Sequence, residues 1–285
     1  MEKYYITTPI YYVNDKPHIG HAYTTILADT ISRFRALIGE KPTFLTGLDE
    51  HGLKVQQAAE KNGKAPQDHC DSMAPAFIDL WKKLNINYSD FIRTTEHRHT
   101  KIVQQILTKV HESGDIYMDE YEGWYSISEE RFITEKELDS GQFGQVKQIK
   151  EKNYFFRMSK YQATLIDKIE KDELLIQPKS RKNEVLGFLK NELSDLCISR
   201  PKSRLEWGIE LPFDDNYVTY VWFDALINYI SAIGAYSNDE QFSSLWPADV
   251  HLIGKDILTT HSVYWPTMLL SLELPLPQRI FAHGW

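Results

Sequence analysis

The chain has 285 residues, a formal net charge of −8, 42% hydrophobic and 13% aromatic residues, and two cysteines. That size and apolar content can fill a complete core, in one large domain or two smaller ones. No apolar run approaches the roughly 20 residues of a membrane span, and no signal-peptide h-region follows Met1-Glu2-Lys3. Cys70 and Cys197 fit neither a disulfide framework nor a metal site, so the expected setting is a reducing cytoplasm.

Tyr4-Tyr5-Ile6-Thr7-Thr8 reads as a buried strand that Pro9 ends. After Pro17-His18-Ile19-Gly20-His21 the residues Ile19, Ala22, Ile26, Thr30, Phe34 and Leu37 recur at helical spacing, with Gly39 as a stop. His18 and His21 then share one face of the first helical turn, beside its free N–H groups. A helix N-terminus favours anions, and imidazole donors there can follow charge as it develops on a phosphate. Gly20 carries no side chain, which leaves room for a flat base.

Pro42 to Thr46 reads as a second strand, with Gly47 to Gly52 as its loop. A helix through Val55, Ala58 and Ala59 ends near Asn62-Gly63, and another spans about Pro66 to Leu84. Asp90 to Arg93 is a short third strand, and a helix from Thr95 to Ser113 closes at Gly114. This alternation predicts an α/β fold with a doubly wound parallel sheet.

From Ile116 to about Phe156, aromatic and polar residues alternate between charged turns, which predicts hairpins, with helices after Ser159 and near Arg181 to Lys190. Strand–helix alternation resumes at Tyr217 to Phe223 and at Val250 to Ile253. The expected organisation is therefore a catalytic-type α/β domain, residues 1–115 and 201–285, split by an α+β insertion over residues 116–200. The acidic balance argues against nucleic acid, yet Lys179-Ser180-Arg181-Lys182 and Arg200-Pro201-Lys202-Ser203-Arg204 are local basic clusters that leave room for RNA.

Neither a G-x-G-x-x-G fingerprint nor a G-x-x-x-x-G-K-[ST] loop occurs, so nucleotide binding, if present, must run through the histidine turn. Ligands of doubly wound sheets bind outside the carboxyl ends of strands, and Thr46-Gly47-Leu48-Asp49-Glu50-His51-Gly52 falls on that edge. There Asp49 can accept hydrogen bonds from an ammonium group. Tyr220-Val221-Trp222-Phe223-Asp224-Ala225 is followed by Tyr229, two helical turns beyond Trp222. Gly254-Lys255-Asp256 ends a strand, Asp256 suits a ribose edge, and His261 and Trp265 stand at i and i+4.

His18-Ile19-Gly20-His21 resembles the HxGH signature of class I aminoacyl-tRNA synthetases and related nucleotidyltransferases. Taken together, Tyr4 to Gly52 and Tyr217 to Trp285 closely resemble the catalytic domain of the methionyl-tRNA synthetases. Tyr121-Glu122-Gly123-Trp124-Tyr125, Asn153-Tyr154-Phe155-Phe156-Arg157 and Ile198-Ser199-Arg200-Pro201 resemble that family's connective-peptide insertion. Tyr220-Val221-Trp222 to Tyr229 and Ile253-Gly254-Lys255-Asp256 to Trp265 carry the resemblance to methionine-specific members.

The resemblance implies activation of L-methionine with ATP and Mg²⁺, release of pyrophosphate, and transfer of methionine to the 3′ end of initiator and elongator tRNA. It implies that His18 and His21 act on the phosphates, that Gly20, Gly254 and Asp256 hold adenine and ribose, and that Asp49 holds the α-ammonium. The thioether pocket it implies is Ile10, Tyr12, Trp222, Ala225, Tyr229, His261 and Trp265, with Tyr12 and His261 hydrogen-bonding weakly to sulfur. Ser126 and Ser128 stand where many relatives carry a Cys-x-x-Cys zinc pair, and Gly141 to Gly144 holds no ligand pair, so the chain resembles the zinc-free branch. The family's KMSKS loop and helical anticodon-binding domain would follow Phe281-Ala282-His283-Gly284-Trp285, so the chain is expected to be part of a longer enzyme. Two alternatives are a compact HxGH adenylyltransferase and a non-catalytic tRNA-binding paralogue. The segment from Ile116 to Arg200 weighs against the first, and the intact His18, His21, Asp49 and Asp256 against the second.

Overall fold

Tyr4 and Ile6 pack into one apolar cluster with Ala28, Phe44, Val250 and Leu252, whereas Tyr5 packs into another with Leu45, Ile92, Ile102 and Ile106. A strand whose alternate side chains enter two cores must lie inside a sheet covered on both faces. The computed structural model describes residues 2–126, 131–133, 138–139 and 145–284.

The strand in question, β1 (Lys3–Tyr12), is central in a parallel sheet with β2 (Lys41–Asp49), β3 (Asp90–Arg93), β7 (Leu175–Gln177), β12 (Val250–Gly254) and β13 (Arg279–His283). Their order across the sheet is β3-β2-β1-β12-β13-β7, and every pairing is parallel. Helix α1 (Ile19–Leu37) packs on one face through Ala28, and α4 (His97–Glu112) on the other through Ile102 and Ile106. The sheet is thus doubly wound, and its strand order reverses between β1 and β12, the place where sheets of this kind bind ligands outside the carboxyl ends. The remaining helices of the first half are α2 (Leu53–Lys61) and α3 (Pro66–Lys83).

Pro9 does not end β1. The strand continues to Tyr12 through a register shift between Thr7 and Ile10, and a bulge at that point accommodates a residue with no N–H to give. β2 likewise runs through Gly47 to Asp49. A Cβ on Gly47 would lie 2.0 Å from the Ile92 carbonyl oxygen, so glycine here permits close approach of β3 rather than a loop.

The apolar spacing in α1 points away from the core. Ile19 and Leu37 are 87% and 85% exposed, Ile26 and Phe34 are exposed too, and the buried face is Gly20, Thr24, Thr25, Ala28, Asp29 and Ser32. Polar contacts orient the helix instead. Tyr11 Oη and Thr25 Oγ1 lie 2.7 Å apart, Thr24 Oγ1 is 2.8 Å from His283 Nε2, and Asp29 accepts from the Asn87 N–H at 2.8 Å.

Antiparallel pairing of β4 (Ile116–Ser126) with β6 (Val146–Phe156) forms the expected hairpin, joined by β5 (Arg131–Ile133) and β8 (Leu196–Cys197) in a second sheet. β7, also within residues 116–200, pairs instead with β13 at the edge of the parallel sheet. The strand expected at Tyr217 to Phe223 is β11 (Asp214–Thr219), antiparallel to β9 (Ser199–Pro201) and β10 (Glu210–Leu211), and residues 221–225 turn helical. After β7 the chain next enters the parallel sheet at β12, once this small three-stranded sheet is complete.

Candidate functional site

α1 begins at the carboxyl end of β1, and His18 is its N-cap. Its Nδ1 accepts from the Gly20 N–H at 3.1 Å, while His21 Nδ1 accepts from the His18 N–H at 3.3 Å. With both Nδ1 atoms accepting, each neutral ring carries its proton on Nε2, and those N–H groups remain as donors. The rings stack at 3.7 Å. His21 also packs against Tyr11 and Phe77, and burial, together with repulsion from His18, lowers its pKa to about 4. His18 lies exposed at the open rim, and Gly20 is buried beneath.

At the end of β2, Asp49 is 3% exposed and in register with half-buried Tyr12 at the end of β1. Gly52 sits at φ +107°, and a Cβ there would fall 2.4 Å from the Tyr12 hydroxyl. Glycine therefore allows both the turn and the close approach of that hydroxyl. Ile10, half-buried on the same strand, packs against the larger core.

Trp222 and Ala225 lie on a helix of residues 221–225 and Tyr229 on a second helix of residues 228–231, so the break between them replaces the continuous helix that their spacing suggested. Residues 260–264 form a π-helical turn leading into the helix of Trp265. Through that widened turn His261 and Trp265 both reach Tyr229, with ring centroids 5.7 and 5.8 Å from it. His261 Nδ1–H donates to the Ile257 carbonyl at 2.9 Å, which leaves Nε2 to accept from the Tyr229 hydroxyl at 2.7 Å. Burial lowers the His261 pKa to about 4, so the ring stays neutral and its one lone pair is taken by Tyr229. Burial also pushes the Tyr229 phenol far above its ordinary range. Gly254 is buried at the end of β12, and Asp256 is exposed in the 3₁₀ turn that follows.

His251 and Asp224 join this site without having been read as site residues. His251, beside Thr7 in the β1–β12 ladder, accepts the Trp265 indole N–H at 3.1 Å, and its Nδ1 is 2.7 Å from Thr7 Oγ1. Its ring lies 4.3 Å from Tyr229, and burial, with His261 nearby, drives its pKa well below the usual histidine value. Asp224, between Trp222 and Ala225, is 2.7 Å from His51 Nδ1 and 2.7 Å from His99 Nε2. A single polar residue inside the apolar run Val250-His251-Leu252-Ile253 was the available signal for His251. Asp224 had none beyond its place in the motif.

Among the described residues no group of three or more His, Cys, Asp or Glu side chains is arranged to hold a metal ion. Ser126 is buried at the end of β4, and Ser128 and residues 141–144 lie outside the described residues. No described helix is long and apolar enough to cross a membrane.

The histidine turn and Asp49 stand where β1 and β2 end, on the edge of the sheet at which its strand order reverses. The profile of the tRNA synthetases class I (M) matches residues 4–142 and 138–285. A methionine–tRNA ligase of Clostridium acetobutylicum is 51% identical over 290 residues, covering 100% of this chain and 45% of that protein. Methionyl-tRNA synthetase of Mycobacterium tuberculosis in complex with methionyl-adenylate superposes with a TM-score of 0.95 at 42% identity, over 100% of this chain and 57% of the other. Its apo form gives a TM-score of 0.83 at 40% identity, over 100% of this chain and 56% of the other. The chain belongs to the methionyl-tRNA synthetase family, and it spans about half the length of the relatives it matches.

Proposed function

We propose that this chain carries the site at which L-methionine is activated by ATP, giving methionyl-adenylate and pyrophosphate, before methionine passes to the 3′ end of its tRNA. What supports this reading is that His18, His21 and Asp49 stand where β1 and β2 end, with the Tyr229–His261–Trp265 cluster packed against His251 of the neighbouring β12, in a chain of this family.

Asp49 accepts the α-ammonium of methionine, and its low exposure strengthens that pairing. The thioether lies among Ile10, Tyr12, Trp222, Ala225, Tyr229 and Trp265, where sulfur gains about 0.3–1.5 kcal/mol against aromatic edges. His261 orients the Tyr229 ring in this reading, because its Nε2 lone pair is engaged by the phenol and it has no second donor to offer sulfur. The methionine carboxylate attacks the α-phosphorus, the bond to the bridging oxygen breaks and pyrophosphate leaves; Mg²⁺, when bound with ATP, would neutralise charge on the phosphates. The Nε2–H groups of His18 and His21 meet charge as it builds on the phosphate oxygens. Gly20 leaves space for adenine, and Gly254 and Asp256 take the ribose and base edge. Methionine-accepting tRNA is the second substrate, Mg²⁺ the metal required, zinc not required, and the setting cytoplasmic, in keeping with two free cysteines.

Pyrophosphate exchange by the natural protein with each of the twenty amino acids tests the reading. Methionine should support exchange at least a hundredfold above leucine. Equal exchange with leucine, or none with methionine, overturns it.

A further inference from the structure

Beneath the amino-acid pocket lies a second polar system that substrate need not touch. Asp224 is 1% exposed, and its two oxygens are each engaged by a different imidazole: Oδ2 by His51 Nδ1 and Oδ1 by His99 Nε2, both at 2.7 Å. His99 Nδ1 is in turn 2.7 Å from Ser231 Oγ. All four residues are buried, with His99 at 0% exposure. Burial alone would raise the Asp224 pKa, but attraction and hydrogen bonds from His51 and His99 outweigh it and hold the carboxyl at about 2. An ionised carboxylate accepts at both oxygens, so His51 donates from Nδ1 and His99 from Nε2. His99 Nδ1, when the ring is neutral, accepts from the Ser231 hydroxyl.

The partners come from separate parts of the chain. His51 follows β2 two residues after Asp49, His99 is on α4, Asp224 stands between Trp222 and Ala225, and Ser231 ends the helix of Tyr229. The carboxylate therefore ties the loop bearing the ammonium-binding residue to the helices bearing the aromatic wall. A charge-assisted bond at each oxygen fixes the separation of those two walls more stiffly than apolar contact, which tolerates sliding.

We propose that His51, Asp224 and His99 are positioning residues for methionine recognition, setting the span between Asp49 and the wall of Trp222, Ala225 and Tyr229. This rests on the methionine-activation reading above. Because the histidine turn lies outside the array, its loss acts on methionine and leaves ATP alone.

Pyrophosphate exchange by the natural protein tests this with His51→Leu, His99→Leu and Asp224→Asn, beside His51→Asn and His99→Gln. The two amides place an N–H where Nδ1 of His51 and Nε2 of His99 stand. The leucine variants and Asp224→Asn should raise KM for methionine about tenfold or more, with KM for ATP and kcat within about twofold. The amide variants should restore KM for methionine to within about threefold. Unchanged methionine KM in the leucine variants overturns the proposal, as does a parallel rise in both KM values or amides no better than leucines. If Asp224→Asn does not fold, the two leucine–amide pairs decide the matter alone. A wild-type protein without methionine-dependent exchange would instead overturn the activation reading itself.

Discussion

The cluster around Tyr229, proposed to receive the amino acid, and the histidine turn are built in opposite ways. Around Tyr229 the groups are shut away from water and hydrogen-bonded to one another: Tyr229 to His261, Trp265 to His251, Asp224 to two histidines. At the turn, His18 is exposed, His21 is half-buried, and the Nε2 atoms of both histidines are left to meet something else. A small apolar ligand is recognised by a cavity whose shape is fixed beforehand. A polyphosphate is recognised by donors at an open rim, where charge changes during the reaction. Damage to the first region should therefore cost stability or affinity, and damage to the second should cost rate.

The largest effect expected is on folding. Trp265→Ala removes a fully buried indole and should lower unfolding free energy by about 3–5 kcal/mol in urea titration, because the pocket wall is also core. A loss under about 1 kcal/mol would separate pocket from core. His21→Asn should instead lower kcat for pyrophosphate exchange by about 10²–10³ with methionine and ATP affinities nearly unchanged. A pure affinity loss would make the turn a ground-state site like the pocket. Asp49→Ala should cost about 3 kcal/mol of methionine affinity by calorimetry, since the ammonium loses its partner in a buried place. Near-normal binding would remove Asp49 from the pocket.

Acid should act on both regions, since His21 at the turn is lowered to about 4 as well. His261 titrates at about 4 when folded and near its ordinary value of 6.5 when unfolded, and His251 is lowered in the same direction. The unfolded chain thus binds protons first, and stability is full above about pH 6.5 and falls by a few kcal/mol toward pH 4. Thermal melts across that window measure it. A flat profile would mean these rings are not buried neutral. The smallest effect is Tyr229→Phe, which frees the His261 lone pair and should cost about 1 kcal/mol in methionine affinity.

What the chain discloses locally, it disclosed well. The histidine turn and the strand at Asp90 to Arg93 depend on residues adjacent in sequence, and each stands where its pattern placed it, whereas Asp49, expected in a loop, is the last residue of β2. Pro9 misleads because a bulge, set by the neighbouring strand, decides whether a proline ends β1. The face of α1 misleads because Thr24, Thr25 and Asp29 find partners on Tyr11, Asn87 and His283, which helical periodicity cannot represent. Asp224, His99 and His251 were illegible for the same reason. Their partners lie up to 173 residues away for Asp224 and 244 for His251.

That last separation also governs how the molecule comes into being. β1 is synthesised first and lies mid-sheet, and one of its flanks meets β2 soon afterwards. The other flank waits for β12, where the Tyr5 N–H donates to Asp249 Oδ2 at 2.7 Å across 244 positions. Pairings of such range form late and slowly, and until then β1 exposes a strand edge carrying Tyr4 and Ile6. His251 and Thr7, which meet across that seam, come together only in the same late event. A nascent chain shorter than about residue 250 is therefore a sheet open down its middle, in need of shielding.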